Sequence, residues 1–209
     1  AIMIKVQNLS YAFPQKDLYS KISFTIEEDA HCALIGINGT GKSTLLDIFM
    51  HTEDYLYDGK IEIDNMGRTG YVSQFSQLDP QEDLSVLQYI SDEFVKLEQK
   101  IADLCKQMET ATDLEVIFAD YQKASDEWNA IDGDSYEINI KKQLKIADLQ
   151  TLEKQKISSL SGGEFKLIQI IKEMMLSPGL LIMDEPDVFL DFKRLNALRN
   201  LINAYKGTL

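Results

Sequence analysis

Hydrophobic and polar positions change period along the chain, and each period predicts a different element. Near the N-terminus they alternate, in Met3-Ile4-Lys5-Val6-Gln7 and again in Ile22-Ser23-Phe24-Thr25-Ile26. A period of two marks half-buried β-strands. Ile61-Glu62-Ile63 and Gly70-Tyr71-Val72-Ser73 predict two more. Two aliphatic runs do not alternate: Ala33-Leu34-Ile35 and Leu180-Leu181-Ile182-Met183. Continuous runs of this kind are expected of strands covered on both faces.

From about residue 84 to residue 131 the period becomes helical. Ile90, Phe94, Leu97, Ile101, Leu104 and Met108 are spaced 4-3-4-3-4, a heptad seam. Glu109-Thr110-Ala111 breaks the seam, and Thr112 followed by Glu115 predicts a capping box. Ile117, Tyr121, Ala124, Trp128 and Ile131 then repeat 4-3-4-3. Two helices with facing seams and a short turn predict an antiparallel hairpin. Its first helix should run about 26 residues, roughly 39 Å at the α-helical rise. Trp128 is expected to anchor the seam and Gly133 to close the hairpin. Residues 136–149 should return as another helix.

Candidate chemistry sits at the ends of the aliphatic runs. Gly36-Ile37-Asn38-Gly39-Thr40-Gly41-Lys42-Ser43 fits G-x-x-x-x-G-K-[ST] and leads into the helical pattern Thr44-Leu45-Leu46-Asp47-Ile48-Phe49. Glycines let such a loop curl its N–H groups toward phosphates. Lys42 is placed to reach the β and γ phosphates, and the Ser43 hydroxyl to bind Mg²⁺. The expected nucleotide-binding set is Gly36, Asn38, Gly39, Thr40, Gly41, Lys42, Ser43 and Thr44. The second run delivers Asp184 and Glu185 to the carboxyl edge of a sheet, where α/β proteins bind ligands. Asp184 is expected to contact Mg²⁺, directly or through water. Glu185 is expected to orient or deprotonate an attacking water. Between these motifs, Leu160-Ser161-Gly162-Gly163-Glu164 opens a helix whose glycines leave N–H groups free for a phosphate at its positive end.

The three motifs in this order resemble the ATP-binding cassette (ABC) ATPases, and Leu160-Ser161-Gly162-Gly163 matches that family's signature motif. The resemblance implies an α/β fold. It would be a P-loop NTPase cassette with a mixed sheet core, an antiparallel β edge and an inserted α-helical subdomain extended into a hairpin. It implies ATP and Mg²⁺ as cofactors, and a second cassette whose ATP meets Ser161, Gly162 and Gly163. Phe13 lies just over twenty residues before the loop and fits the family's adenine-stacking place better than Tyr11. Gln74 falls at the family's Q-loop glutamine, which touches Mg²⁺ and the attacking water. The catalytic set implied is Glu185, Lys42 and Gln74; the metal set is Ser43, Gln74 and Asp184.

Across essentially its whole length the chain also resembles ABC-F proteins, twin-cassette ATPases that act on the ribosome. The likeness lies in the long hairpin, in Leu78-Asp79-Pro80 and in Gly133-Asp134-Ser135-Tyr136-Glu137. It implies an ATPase acting on the ribosome as a translation factor or in antibiotic resistance. The alternative is the ATP-binding subunit of a membrane transporter. Asp187-Val188-Phe189-Leu190-Asp191 keeps the D-loop aspartate but departs from the ABC-F string. Phe165-Lys166-Leu167 shifts or removes a basic residue usual in the signature helix. The implied organisation is residues 1–81 as the first part of the core, 82–147 as the helical subdomain, and 148–209 as the signature and Walker B part. Gly207-Thr208-Leu209 resembles the start of the strand preceding the family's switch histidine. The chain is therefore expected to be a first cassette that alone binds ATP with little turnover.

Composition narrows the setting. A net charge of −13 over 209 residues, without a basic stripe, argues against duplex DNA. No run of 18 apolar residues predicts direct membrane insertion, and the N-terminus lacks a signal-peptide pattern. Cys32 is expected to be a small buried hydrophobe, and two cysteines with two histidines lack metal-site spacing. A reducing cytoplasm fits. Residues 82–132 hold 13 acidic and 4 basic side chains, so the hairpin carries −9 of the total. Such an arm suits a solvated helical face, or a basic protein surface, better than RNA phosphate.

Overall fold

The computed structural model describes residues 1–65, 67–74 and 83–209. Leu78-Asp79-Pro80 and the boundary expected at 81/82 lie outside these. The chain forms two compact units. One comprises Ala1–Gln74, Pro178–Pro186 and Lys206–Leu209; the other comprises Phe75–Ser177 and Asp187–Tyr205.

In the first unit the alternating segments form an antiparallel sheet. Strand β1 (Ile2–Phe13) lies between β2 (Lys16–Glu27) and β3 (Asp58–Ile63). Val6 stands opposite both Phe24 and Ile61, which places one apolar set on one face. Buried Ile4, Val6 and Leu9 pack with Leu45 and Phe49 of helix α1 (Lys42–Met50) and with Leu180 and Ile182. Strand β4 (Thr69–Val72) pairs in parallel with β5 (Leu180–Met183), with Val72 beside Met183. Among the described residues the strands form an antiparallel three-stranded ladder and a parallel pair, and Thr208 adds an isolated parallel bridge beside Leu180.

Two expectations fail at the segment before the loop. Residues 33–35 form no strand; Leu34 is 49% and Ile35 90% exposed. Cys32 is exposed rather than buried. An apolar run is buried only where another strand lies beside it. Here the pairing stops early: Leu209 N–H donates to the Ala30 carbonyl (3.0 Å) and Cys32 N–H to the Leu209 carbonyl (2.7 Å). Among the described residues no backbone partner follows for 33–35.

The second unit is helical: α2 (Val86–Thr110), α3 (Leu114–Ala130), α4 (Tyr136–Ile146), α5 (Gly162–Met175) and α6 (Phe192–Ala204). Helices α2 and α3 are the expected hairpin. Ile90, Phe94, Leu104 and Ala124 are buried along its seam. The Phe94 ring stacks on Tyr136 at 5.0 Å and meets the Trp128 ring edge-on at 6.3 Å. Trp128 Nε1–H donates to Asp134 (2.8 Å). A Cβ at residue 133 would lie 2.1 Å from the Trp128 ring, so only glycine fits there. The predicted cap of α3 is displaced. Asp113, not Thr112, holds the N-cap position and makes no side-chain cap bond. Glu115 then falls one residue short of the position from which a carboxylate reaches back to the cap N–H. A capping box does form at α2, between Ser85 and Gln88. Helix α4 ends at Ile146, three residues early, because Asp148 turns left-handed at φ 56°. No helix among the described residues is long and apolar enough to cross a membrane.

Candidate functional site

The loop from Gly36 to Gly41 delivers the chain into α1. Gly41 is the N-cap residue at φ 95°, and Gly39 has φ 84°. Both angles favour glycine, which is why a glycine-rich run occurs here. The Gly41 carbonyl accepts Leu45 N–H at 3.0 Å, the first bond of the helix, and also the Tyr19 hydroxyl. The Gly39 carbonyl accepts the Lys16 ammonium at 3.1 Å. Thr40 folds inward, its hydroxyl donating to the Ile37 carbonyl at 2.7 Å. The Lys42 ammonium donates to the Gly36 carbonyl and so sits over its own loop.

A cleft of about 350 Å³ opens above this loop. Phe13 and Leu18 form one wall, and Asn38, Gly39 and Gly41 the floor. Lys42, Ser43 and Thr44 enter from the helix start, and Gln74 and Glu185 from the ends of the parallel pair. Residues from four separate stretches of sequence thus converge on one space. Gly36, Thr40 and Asp184 do not line it. Asp184 is buried, and its N–H donates to the Val72 carbonyl at 2.9 Å, which ties the end of β5 to the strand leading to Gln74. Burial raises the Tyr71 phenol pKa, and the negative charge of Asp184 adds to this. Glu185 adopts φ 46°, a left-handed conformation that costs a non-glycine residue about 1–3 kcal/mol and clusters at functional sites.

Phe13 is 45% exposed, so its ring can take a planar ligand. Tyr11 braces it edge-on at 5.7 Å and in turn touches Tyr55 (5.5 Å) and Tyr19 (6.4 Å). Tyr55 donates to Asp47 on α1, and that hydrogen bond, with burial and nearby negative charge, pushes its phenol up to about 12. Burial pushes the Tyr19 phenol up to about 12 as well. The wall that carries Phe13 and the loop helix are therefore joined through aromatic contacts. Lys16, Leu18, Tyr19 and the Asp47–Tyr55 pair belong to no motif. Lys16, Leu18 and Tyr19 reach the site through strand register, which places Tyr11 opposite Tyr19, and Asp47 through helix α1. The adenine-stacking place that the resemblance implies for Phe13 predicts that Phe13→Ala weakens ATP binding about tenfold, the typical worth of one base–aromatic stack. Equilibrium titration with a fluorescent ATP checks this.

In the second unit Ser161 caps α5. Its hydroxyl accepts Glu164 N–H at 3.2 Å, and Glu164 accepts Ser161 N–H at 2.9 Å. The other Glu164 oxygen meets Arg194 at 3.1 Å, with both side chains under a fifth exposed. A Cβ at Gly162 would meet nothing within 4 Å, whereas one at Gly163 would lie 3.1 Å from the Phe189 carbonyl. The signature segment thus has an open glycine, a packed glycine and a fixed helix start. Asp191 caps α6 through Arg194 N–H at 2.8 Å.

The family model for ABC transporters matches residues 19–188. A Bacillus subtilis protein, YfmR, named as an uncharacterized ABC transporter ATP-binding protein, is 28% identical over 212 residues, 99% of this chain and 33% of its own length. The chain thus spans about a third of that relative. The zinc import ATP-binding protein ZnuC of Rickettsia prowazekii is 28% identical over 207 residues, covering 99% of this chain and 72% of that protein. A metal-chelate type ABC transporter in an inward-facing conformation superposes with a TM-score of 0.63 at 24% identity, covering 100% of this chain and 72% of that one. This last likeness concerns the fold alone.

Proposed function

The chain belongs to the ABC transporter family, and from this premise we propose that it binds Mg-ATP in the loop cleft and hydrolyses it by closing on a second cassette. The convergence of Phe13, the loop, Lys42, Ser43, Gln74 and Glu185 on one cleft carries this reading. Phe13 stacks on adenine. Loop N–H groups and Lys42 neutralise the phosphates; Ser43 and Gln74 would hold Mg²⁺, with Asp184, buried and outside the cleft lining, acting on it through water. The bound ion would withdraw charge from the phosphates during transfer. Glu185 orients the attacking water and takes its proton. Ser161, Gly162 and Gly163 complete the ATP site of the opposite cassette, so turnover needs the pair.

The relatives support the ATP-binding subunit of a membrane transporter as the setting, at the cytoplasmic side of the membrane. Those named for zinc import or metal transport are covered over 70–72% of their length. Domain closure would then be passed to a separate membrane subunit. A second reading, a twin-cassette ABC-F protein on the ribosome, draws on the α2–α3 hairpin and on the length of YfmR, which leaves room for another cassette. The test uses the full natural protein with Glu185→Gln, and the same change in any second cassette, loaded with ATP. Recovery with membranes supports the transporter subunit. Trapping on ribosomes only with ATP replaces it with the twin-cassette reading. Recovery with neither overturns both settings.

A further inference from the structure

We infer that Tyr19 is a positioning residue for the phosphate-binding loop, assisted by Lys16, and that these two side chains of β2 set nucleotide affinity through the loop backbone. The inference rests on the ATP reading above. Gly39 and Gly41 are the two left-handed points of the loop, and each carbonyl is held from outside by one of these side chains. A peptide unit is planar, with its C=O and N–H on opposite sides. Fixing the Gly41 carbonyl therefore fixes the direction of Lys42 N–H. That group is the first donor of α1, one of those a helix leaves without an internal acceptor, and a phosphate is its natural partner.

Two donors meet on the Gly41 carbonyl, Tyr19 O–H and Leu45 N–H. Donation to a carbonyl polarises its peptide and strengthens the N–H on the other side. Tyr19 does not line the cleft; its ring packs against Tyr11, and a methyl at Gly41 would come within 2.8 Å of its hydroxyl oxygen. The same strand pair that presents Phe13 to the base thus also holds the loop that meets the phosphates. Lys16 acts on a more solvated contact: its side chain is exposed, and it bonds the Gly39 carbonyl at 3.1 Å. Its contribution is the smaller of the two.

Tyr19→Phe keeps the ring and removes only the hydroxyl, so it separates packing from positioning. The experiment titrates a fluorescent ATP and a fluorescent ADP, with Mg²⁺, onto the full natural protein, its Lys42→Ala control, Tyr19→Phe and Lys16→Met. Losing a donor to a part-buried carbonyl predicts about tenfold weaker binding of both nucleotides for Tyr19→Phe. Lys16→Met should weaken them about two- to threefold, as for an exposed bond. In turnover, KM for ATP should rise by the same tenfold while kcat changes less than about twofold, because Tyr19 does not touch the reacting atoms. A merely structural role would instead lower kcat through loss of folded protein and leave KM unchanged. That result, or unchanged affinity in Tyr19→Phe, overturns the inference. Wild-type binding that Lys42→Ala does not weaken would overturn the ATP reading itself. Should Tyr19→Phe not fold, unchanged affinity in Lys16→Met overturns the clamp.

Discussion

Lys42→Ala is expected to weaken Mg-ATP binding about 100-fold while leaving the fold intact. Charge-assisted hydrogen bonds to phosphate are among the strongest single contacts a protein makes, about twice the worth of neutral ones. Two such contacts, to the β and γ phosphates, correspond to about 3 kcal/mol, or roughly two decades of affinity. The structural cost is small because Lys42 is only half-buried and, among the described residues, its ammonium bonds its own loop carbonyl, Gly36. Nucleotide titration gives the affinity, and urea unfolding should place the stability within about 0.5 kcal/mol of wild type. An affinity within threefold of wild type would move the nucleotide away from this loop.

The second large effect concerns stability. Phe94→Ala should cost about 3–5 kcal/mol, the usual range for deleting a fully buried aromatic. Phe94 has no exposed surface and forms a three-ring cluster with Tyr136 and Trp128, where the hairpin meets α4. Neither ring can collapse into the gap. Trp128 is tethered to Asp134 and backed by Gly133, and Tyr136 is held at the start of α4. That loss is a large share of a total stability of about 5–15 kcal/mol. Because the loop and its cleft belong to the first unit, nucleotide affinity per folded molecule should not change. A shift in urea midpoint worth less than about 1 kcal/mol would contradict the seam packing.

Features set by short-range chemistry are legible from the sequence. The loop motif, the aliphatic strand ending in Asp184 and Glu185, and the start of α5 are each determined by a few adjacent residues. The hairpin is legible because a 4-3 spacing sustained over two segments suits a helical face and cannot line one face of a strand. What fails depends on distant partners. Ala33-Leu34-Ile35 reads as a buried strand, yet burial needs a neighbouring strand, and pairing here ends at Cys32. Thr112 and Glu115 have the spacing of a capping box, but the helix begins one residue later than that spacing needs. Conversely, Ser161 and Glu164 form a capping box in a segment whose glycines draw the attention. Tyr19 and Lys16 carry no motif at all; strand register alone brings them to the loop.

The setting is harder to read than the site for a physical reason. Every cassette that binds ATP this way needs the same loop, carboxylates and signature glycines, so these cannot separate a transporter subunit from a ribosomal ATPase. The discriminating surfaces are those that meet the partner. The hairpin is rich in acidic residues, and it also presents Val95, Leu114 and Phe118, each half or more exposed.

The most direct test of the account is photolabelling of the full natural protein with 8-azido-ATP and Mg²⁺, followed by peptide mapping. The account predicts label on the β1–β2 turn around Phe13, competed by ATP and lost in Lys42→Ala. Label confined to other segments, or unaffected by Lys42→Ala, would contradict it.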